Sequence, residues 1–362
     1  MKNSVKLFFT LFFLLVVFGM VMVFNVKVFT TDVPEQKVWS IISGQVLNFS
    51  LAAILFMVAY LVNLEIAEKW IKIIMLFTLL LLTATLIIGV EINGAKRWID
   101  LYFMRIQPSE FAKITAVIYL SEVICNKRDR IGLFKELIYP FALISIMVLL
   151  ISIEDLGTGV LILGVSVFML LMGGMRFKYF GILALMAAGV IVILIAMRPY
   201  RINRLKTFLD PWEYKQDSGY QQVQSEVALG RGGLTGVGFG NSQRKKKYLP
   251  EAATDFIFAV IGEEFGFIGS VSLILMVMLF FYLGSSFAFS VESPFAFYII
   301  SGSIMILTMQ ALFNIGVALS VIPNKGLPLP FISYGGSSLL SSSILVGLIM
   351  NAAVTGSRHY EY

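Results

Sequence analysis

One cysteine and one histidine among 362 residues exclude several chemistries at once. Cys125 alone forms no intrachain disulfide, His359 lies near the end of the chain, and neither supports a Cys/His metal site or a histidine base. Acid–base chemistry is left to carboxylates, lysine, tyrosine or water. Charge is scarce too: 14% of residues are charged and 58% are hydrophobic, with a mean hydropathy of +0.86, far from the balance of a soluble domain. The glycine-rich "GRGGLTGVGFGNS" lacks a GK[ST] ending and the complete GxGxxG spacing, so it reads as a tight irregular loop using positive φ rather than a nucleotide site. There is no linker, low-complexity tract, soluble domain or internal repeat. Residues 1–362 read as a single polytopic membrane domain.

Long apolar runs are what the chain does have. Ten are long enough to cross a bilayer core: about 7–25, 46–64, 73–90, 109–125, 137–153, 157–175, 179–197, 255–284, 295–321 and 338–356. The expected fold is all-α, an integral membrane protein of ten transmembrane helices with a long extracytoplasmic loop, about 198–254, between helices 7 and 8. The first run is longer than a signal-peptide core and has no small-residue cleavage site, so it counts as helix 1. Lys69, Lys72, Lys127, Arg128, Arg130, Lys135, Arg176 and Lys178 outnumber the basic residues of the opposite short loops, among them Lys27, Lys37, Lys96, Arg97, Arg105 and Lys325. By the positive-inside rule both termini are cytoplasmic. The 198–254 loop carries ten Lys or Arg in spite of that rule. Anionic lipid headgroups and a phosphate-bearing substrate explain its charge equally well.

Polar residues collect in segments on the outer side. Pro108-Ser109-Glu110 opens a helix, with Lys113 three residues on; this is an ordinary ion pair or, turned inward, a phosphate ligand. Glu154 and Asp155 in "IEDLGTG" form a turn, with Asp155 either a plain turn residue or a member of the Lys113 cavity. "GLPLPFISYGGSS" reads as a re-entrant turn whose hydroxyls, Ser333 and Ser337 among them, suit a sugar or phosphate. Asp255 stands at the threshold of an apolar run, with Glu263 and Glu264 inside it. Successive helical residues diverge by about 100°, so at most one of these two glutamates should face the same surface as Asp255, the other snorkelling, pairing with another helix or marking a break in helix 8, and both read as helix-packing residues before catalytic ones.

The order QPSEFAK, DLGT, RINRLKTFLDPW, SGYQQVQS, GGLTGVGFGNS, YLPEAATDFIFAVIGEEFG, LPLPFISYGGSS resembles, over nearly the whole chain, the shape, elongation, division and sporulation (SEDS) proteins. "GNSQRKKKYLPEAATDFIFAVIGEE" and "NKGLPLPFISYGGSS" are closer to the division subtype than to the elongation subtype. The resemblance implies a ten-helix peptidoglycan glycosyltransferase of the bacterial inner membrane, at the division septum, that polymerises lipid II and releases undecaprenyl pyrophosphate. Asp255 matches the family's essential aspartate, as general base or orienter of the attacking hydroxyl. Lys113, Arg201, Arg204, Lys96 and Arg97 are candidate pyrophosphate ligands, with Glu110, Asp155, Ser333 and Ser337 beside them in substrate binding. No tightly bound cofactor is implied, although Mg or Mn fits the pyrophosphate. Expected partners are lipid II, a class B penicillin-binding protein transpeptidase and other division-complex membrane proteins, and no nucleic acid. Departures from the family pattern are Glu154, Tyr102, Glu226 and Arg231. An elongation-type polymerase, a lipid II flippase or transporter, and a scaffold recruiting the transpeptidase are the alternatives.

Overall fold

The computed structural model describes residues 2–28, 35–92, 94–101, 104–128, 130–197, 199–324 and 326–357; Tyr102, Lys325 and His359 lie outside them. In chain order the described elements are α1 Lys2–Val28, α2 Glu35–Leu61, α3 Leu64–Ile88, β1 Val90–Ile92, β2 Ala95–Leu101, β3 Met104–Ile106, α4 Pro108–Asn126, α5 Phe134–Glu154, α6 Leu156–Met172 and α7 Phe177–Ala196. There follow α8 Pro199–Leu209, α9 Tyr220–Gly232, α10 Arg244–Lys247, α11 Ile257–Ala288, α12 Pro294–Ala318 and α13 Gly336–Thr355.

Every apolar run from the sequence lies in helix, but among the described residues length and composition qualify eight helices as membrane spans. α6 has 17 residues, and α4 carries Glu110, Lys113 and Glu122 in its 19. Nearly all of α4 is buried against protein, which is what lets it hold charges a lipid-facing helix would exclude.

Two expectations change. The chain is not wholly α: β1, β2 and β3 form a three-stranded antiparallel sheet in that order. Ile92 pairs with Ala95 across Gly94, whose φ of 75° closes the turn, and Asp100 pairs with Arg105, whose side chains form an ion pair at 3.3 Å. The region expected as one long loop contains α8, α9 and α10. Helix-forming stretches such as "QQVQSEVAL" fold once they have surfaces to pack on, and Val223, Ser225 and Ala228 of α9 are buried.

The chain divides into two compact units that alternate along the sequence. The first comprises residues 1–51, 195–282 and 308–339; the second comprises 52–194, 283–307 and 340–362. Rings pack the first: Phe8 stacks on Phe280 at 4.5 Å, while Phe12 and Phe280 meet Phe331 edge-on at 5.2 and 5.6 Å. Gly19 lets α1 come close to this loop, since a Cβ there would lie 2.2 Å from the Phe331 carbonyl oxygen. In the second unit α3 packs on α4, α5 on α6 and α4 on α6, and the sheet sits against α3.

Candidate functional site

In the first unit Asp255 is half-buried in the turn that leads into α11. Three consecutive carbonyls fasten this turn: Tyr334 N donates to Ala253 O at 2.7 Å, Ser333 Oγ to Thr254 O at 2.5 Å, and Asn314 Nδ2 to Asp255 O at 2.9 Å. Asn314 Nδ2 also reaches Leu327 O, and Ser333 Oγ accepts from Leu329 N, so the 327–334 segment and the Asp255 turn hold one another. The Ser333 hydroxyl, expected to face a sugar or phosphate, thus bonds backbone on both sides, at Thr254 and Leu329. Ser337 is buried in the first turn of α13. Lys27, at the end of α1, lies over the Tyr334 ring, 2.9 Å from its centroid. Of the two α8 arginines, Arg201 is buried, and Arg204 is exposed and donates to Asn324 O.

Below that turn α11 is interrupted at Gly266, which has φ 67° and ψ −162°. The interruption frees backbone groups on both sides, and residues 233–238 satisfy them. Val237 N and Gly238 N donate to Glu263 O and Glu264 O, while Phe267 N and Ile268 N donate to Gly233 O and Leu234 O. The glycine-rich stretch is thus a positive-φ loop, with Gly233, Gly236, Gly238 and Gly240 at φ of 51° to 93°. Its purpose is to thread into a broken helix. Beyond the break, Phe267–Ala288 is about 33 Å long at 1.5 Å per residue, enough for a bilayer core by itself.

Both glutamates before the break are buried, so neither snorkels. The loop wraps round to meet each in turn. Glu263 accepts from Ser242 Oγ and from Gln243 N and Arg244 N, both at 3.3 Å, and Arg231 Nη1 stands 3.6 Å away. Glu264 accepts from Asn25 Nδ2 at 2.5 Å and Lys245 Nζ at 2.6 Å, and Lys245 Nζ also donates to Asn25 Oδ1 at 2.6 Å. Burial pushes the Lys245 amine below the ordinary lysine value, although Glu264 pulls it upward.

The second unit contains the other candidates. Lys113 Nζ donates to Glu110 Oε2 at 2.7 Å, and the same oxygen accepts from Ser341 Oγ at 2.7 Å; all three residues are buried. Asp155 caps α6, accepting from Thr158 N and Thr158 Oγ1, and takes a further bond from Gln107 Nε2. Arg97 donates through Nε to Glu154 O at 2.8 Å and lies 3.9 Å from Asp155 Oδ2. Lys96 N donates to Glu154 Oε2. A water-sized cavity of about 20 Å³ is lined by Lys96, Arg97, Ser109 and Asp155 among others. Of the departures from the family pattern, Glu154 secures the sheet, Glu226 accepts from the Trp212 indole and Arg231 reaches Gln243.

Asn314, Gln107, Ser341, Asn25, Ser242 and Lys245 hold these arrangements together and were not singled out by sequence. Asn25, a polar residue near the end of the first apolar run, carried a readable signal.

The sequence pattern of the cell cycle protein family of FtsW, RodA and SpoVE matches residues 5–358. The chain belongs to this family. Its FtsW-type relatives include the probable peptidoglycan glycosyltransferase FtsW of Wigglesworthia glossinidia brevipalpis, 36% identical over 97% of this chain and 95% of that protein. The stage V sporulation protein E of Bacillus subtilis is 34% identical over 96% and 95%. Among solved structures, a chain of a peptidoglycan synthase complex superposes with a TM-score of 0.78 at 24% identity, covering 97% of this chain and 98% of that one. RodA of Thermus thermophilus gives 0.68 at 23% identity, covering 96% of each. The fold of the family is therefore the fold of this chain.

Proposed function

We propose that this protein is the division-type lipid II polymerase of its cell, joining disaccharide units into glycan strands and releasing undecaprenyl pyrophosphate. The observation that carries the reading is Asp255, set on a turn immobilised through three successive carbonyls, in a family whose relatives are named peptidoglycan glycosyltransferases. Glycosyl transfer requires a base for the acceptor's 4-hydroxyl as it attacks the donor's anomeric carbon, and positive charge for the departing pyrophosphate. Asp255 takes or orients the hydroxyl proton. A rigid backbone keeps that carboxylate from straying by the ångström that costs rate. The basic candidates are Lys113, Arg97, Lys96, Arg201 and Arg204, of which Arg97 and Arg204 use part of their hydrogen-bonding capacity on carbonyls.

The proposal includes ten crossings with both termini cytoplasmic, α4 and α6 being the two that fall short of a lipid-facing span in composition or length, and a location at the septum. Among the described residues no three His, Cys, Asp or Glu gather as a metal site. Mg or Mn accompanying the substrate's pyrophosphate is part of the proposal.

The test is polymerisation of lipid II by purified protein. Asp255→Asn keeps the size of the side chain and removes its charge, and should insert and fold while losing about 10²- to 10⁴-fold in rate. Near-parental glycan synthesis by the variant would refute the assignment.

A further inference from the structure

The Asp255 turn is held on one side by Tyr334, Ser333 and Asn314. On the other side the chain runs back through Leu249, buried, whose N–H donates to Arg244 O in α10. α10 itself is "RKKK", four basic residues with no apolar side chain among them. What fixes it is the buried polar cluster already described. Lys245 enters the protein among Asn25 of α1 and Glu264 of α11, and each of the three side chains bonds the other two. Ser242 adds a bond from its backbone N–H to Glu264 and one from its hydroxyl to Glu263.

Placing an ammonium and two carboxylates in the interior is costly, and well-packed apolar side chains are often at least as stable in such positions. Stability alone is thus a poor account of the cluster. Geometry is a better one: an ion pair threaded through an amide has a single register, whereas an apolar plug tolerates sliding.

We propose that Asn25, Lys245 and Glu264 are positioning residues for Asp255. They lock the 233–247 segment into the break of α11 and so determine where the 249–255 turn presents the carboxylate, without touching substrate themselves. This rests on the polymerase reading for its kinetic consequence, and on geometry alone for its structural one.

The experiment uses the full-length protein in detergent and compares the parent with Lys245→Met and with the double variant Lys245→Met/Glu264→Met. The double variant leaves no unpaired buried charge and keeps the test open where the single variant fails to fold. Two quantities are read: hydrogen–deuterium exchange of peptides covering residues 249–256, and kcat and KM for lipid II. The expected result for the double variant is exchange at least tenfold faster in 249–256 with α4 and α13 unchanged, and kcat at least tenfold lower with KM within twofold. Parental exchange in 249–256 overturns the lock, whatever the rate. Faster exchange with parental kcat overturns the positioning of Asp255. A parent that does not polymerise lipid II refutes the polymerase reading instead, and the exchange data then decide the lock by themselves.

Discussion

Ser333 Oγ donates to Thr254 O and accepts from Leu329 N, so removing it loosens two segments at once. Ser333→Ala should lower kcat with little change in KM, and a steady-state titration with lipid II checks this. Asn314→Leu is more severe, because it leaves Asp255 O and Leu327 O without that donor; a buried unsatisfied group costs about 1–3 kcal/mol, which a thermal melt in detergent will register. In the second unit Glu110→Gln takes the carboxylate from the buried Lys113, and breaking such a pair costs about 3–5 kcal/mol. The double variant Glu110→Met/Lys113→Met should melt closer to the parent, a comparison that separates a stranded charge from a lost contact. Asp255 was legible in the sequence because a carboxylate at the edge of an apolar run calls for a reason. Lys245 was not, since nothing local distinguishes it from its basic neighbours in "QRKKKY"; only folding selects which one is buried.

Among the elements, broken α11 carries the sharpest expectation. A Cβ on Gly266 would lie 2.4 Å from Gly236 N and 2.6 Å from Leu234 O, and its φ of 67° with ψ of −162° suits glycine alone. A Cβ on Gly236 would lie 2.1 Å from Glu264 O. Gly266→Ala and Gly236→Ala should therefore each reduce the yield of monodisperse protein in size-exclusion chromatography, whereas Gly181→Ala, with open space around it, should not. Most of the helical runs were readable because apolar length marks them, eight qualifying as spans among the described residues; α4 and α6 needed more than apolar length to be recognised. The break was readable only as one of three fates for the second glutamate, because "EEFGFIG" has no proline and a single glycine rarely interrupts a helix; a partner loop distant in sequence makes the interruption tolerable. The sheet has a signal of its own in Asn93-Gly94, a favoured hairpin dipeptide between short apolar and polar alternations.

For the whole molecule, a class B penicillin-binding protein transpeptidase is the proposed companion, and mild detergent extraction followed by affinity purification should recover one. Depletion in the native cell should give filaments that elongate without septating; rounded, swollen cells would point to elongation instead. The two units interleave along the chain, a property that composition and hydropathy do not encode, because it depends on which helices meet rather than on which residues are apolar. That interleaving governs how the protein is born. Asn25 and Glu264 are 239 residues apart, so at 5–20 residues per second the first helix waits roughly 10–50 s after its own synthesis before its buried amide meets its partner. Through that interval a polar side chain in an apolar helix needs temporary company, from water at the membrane surface or from the insertion machinery, and a slowed or stalled ribosome would prolong the time Asn25 spends without Glu264.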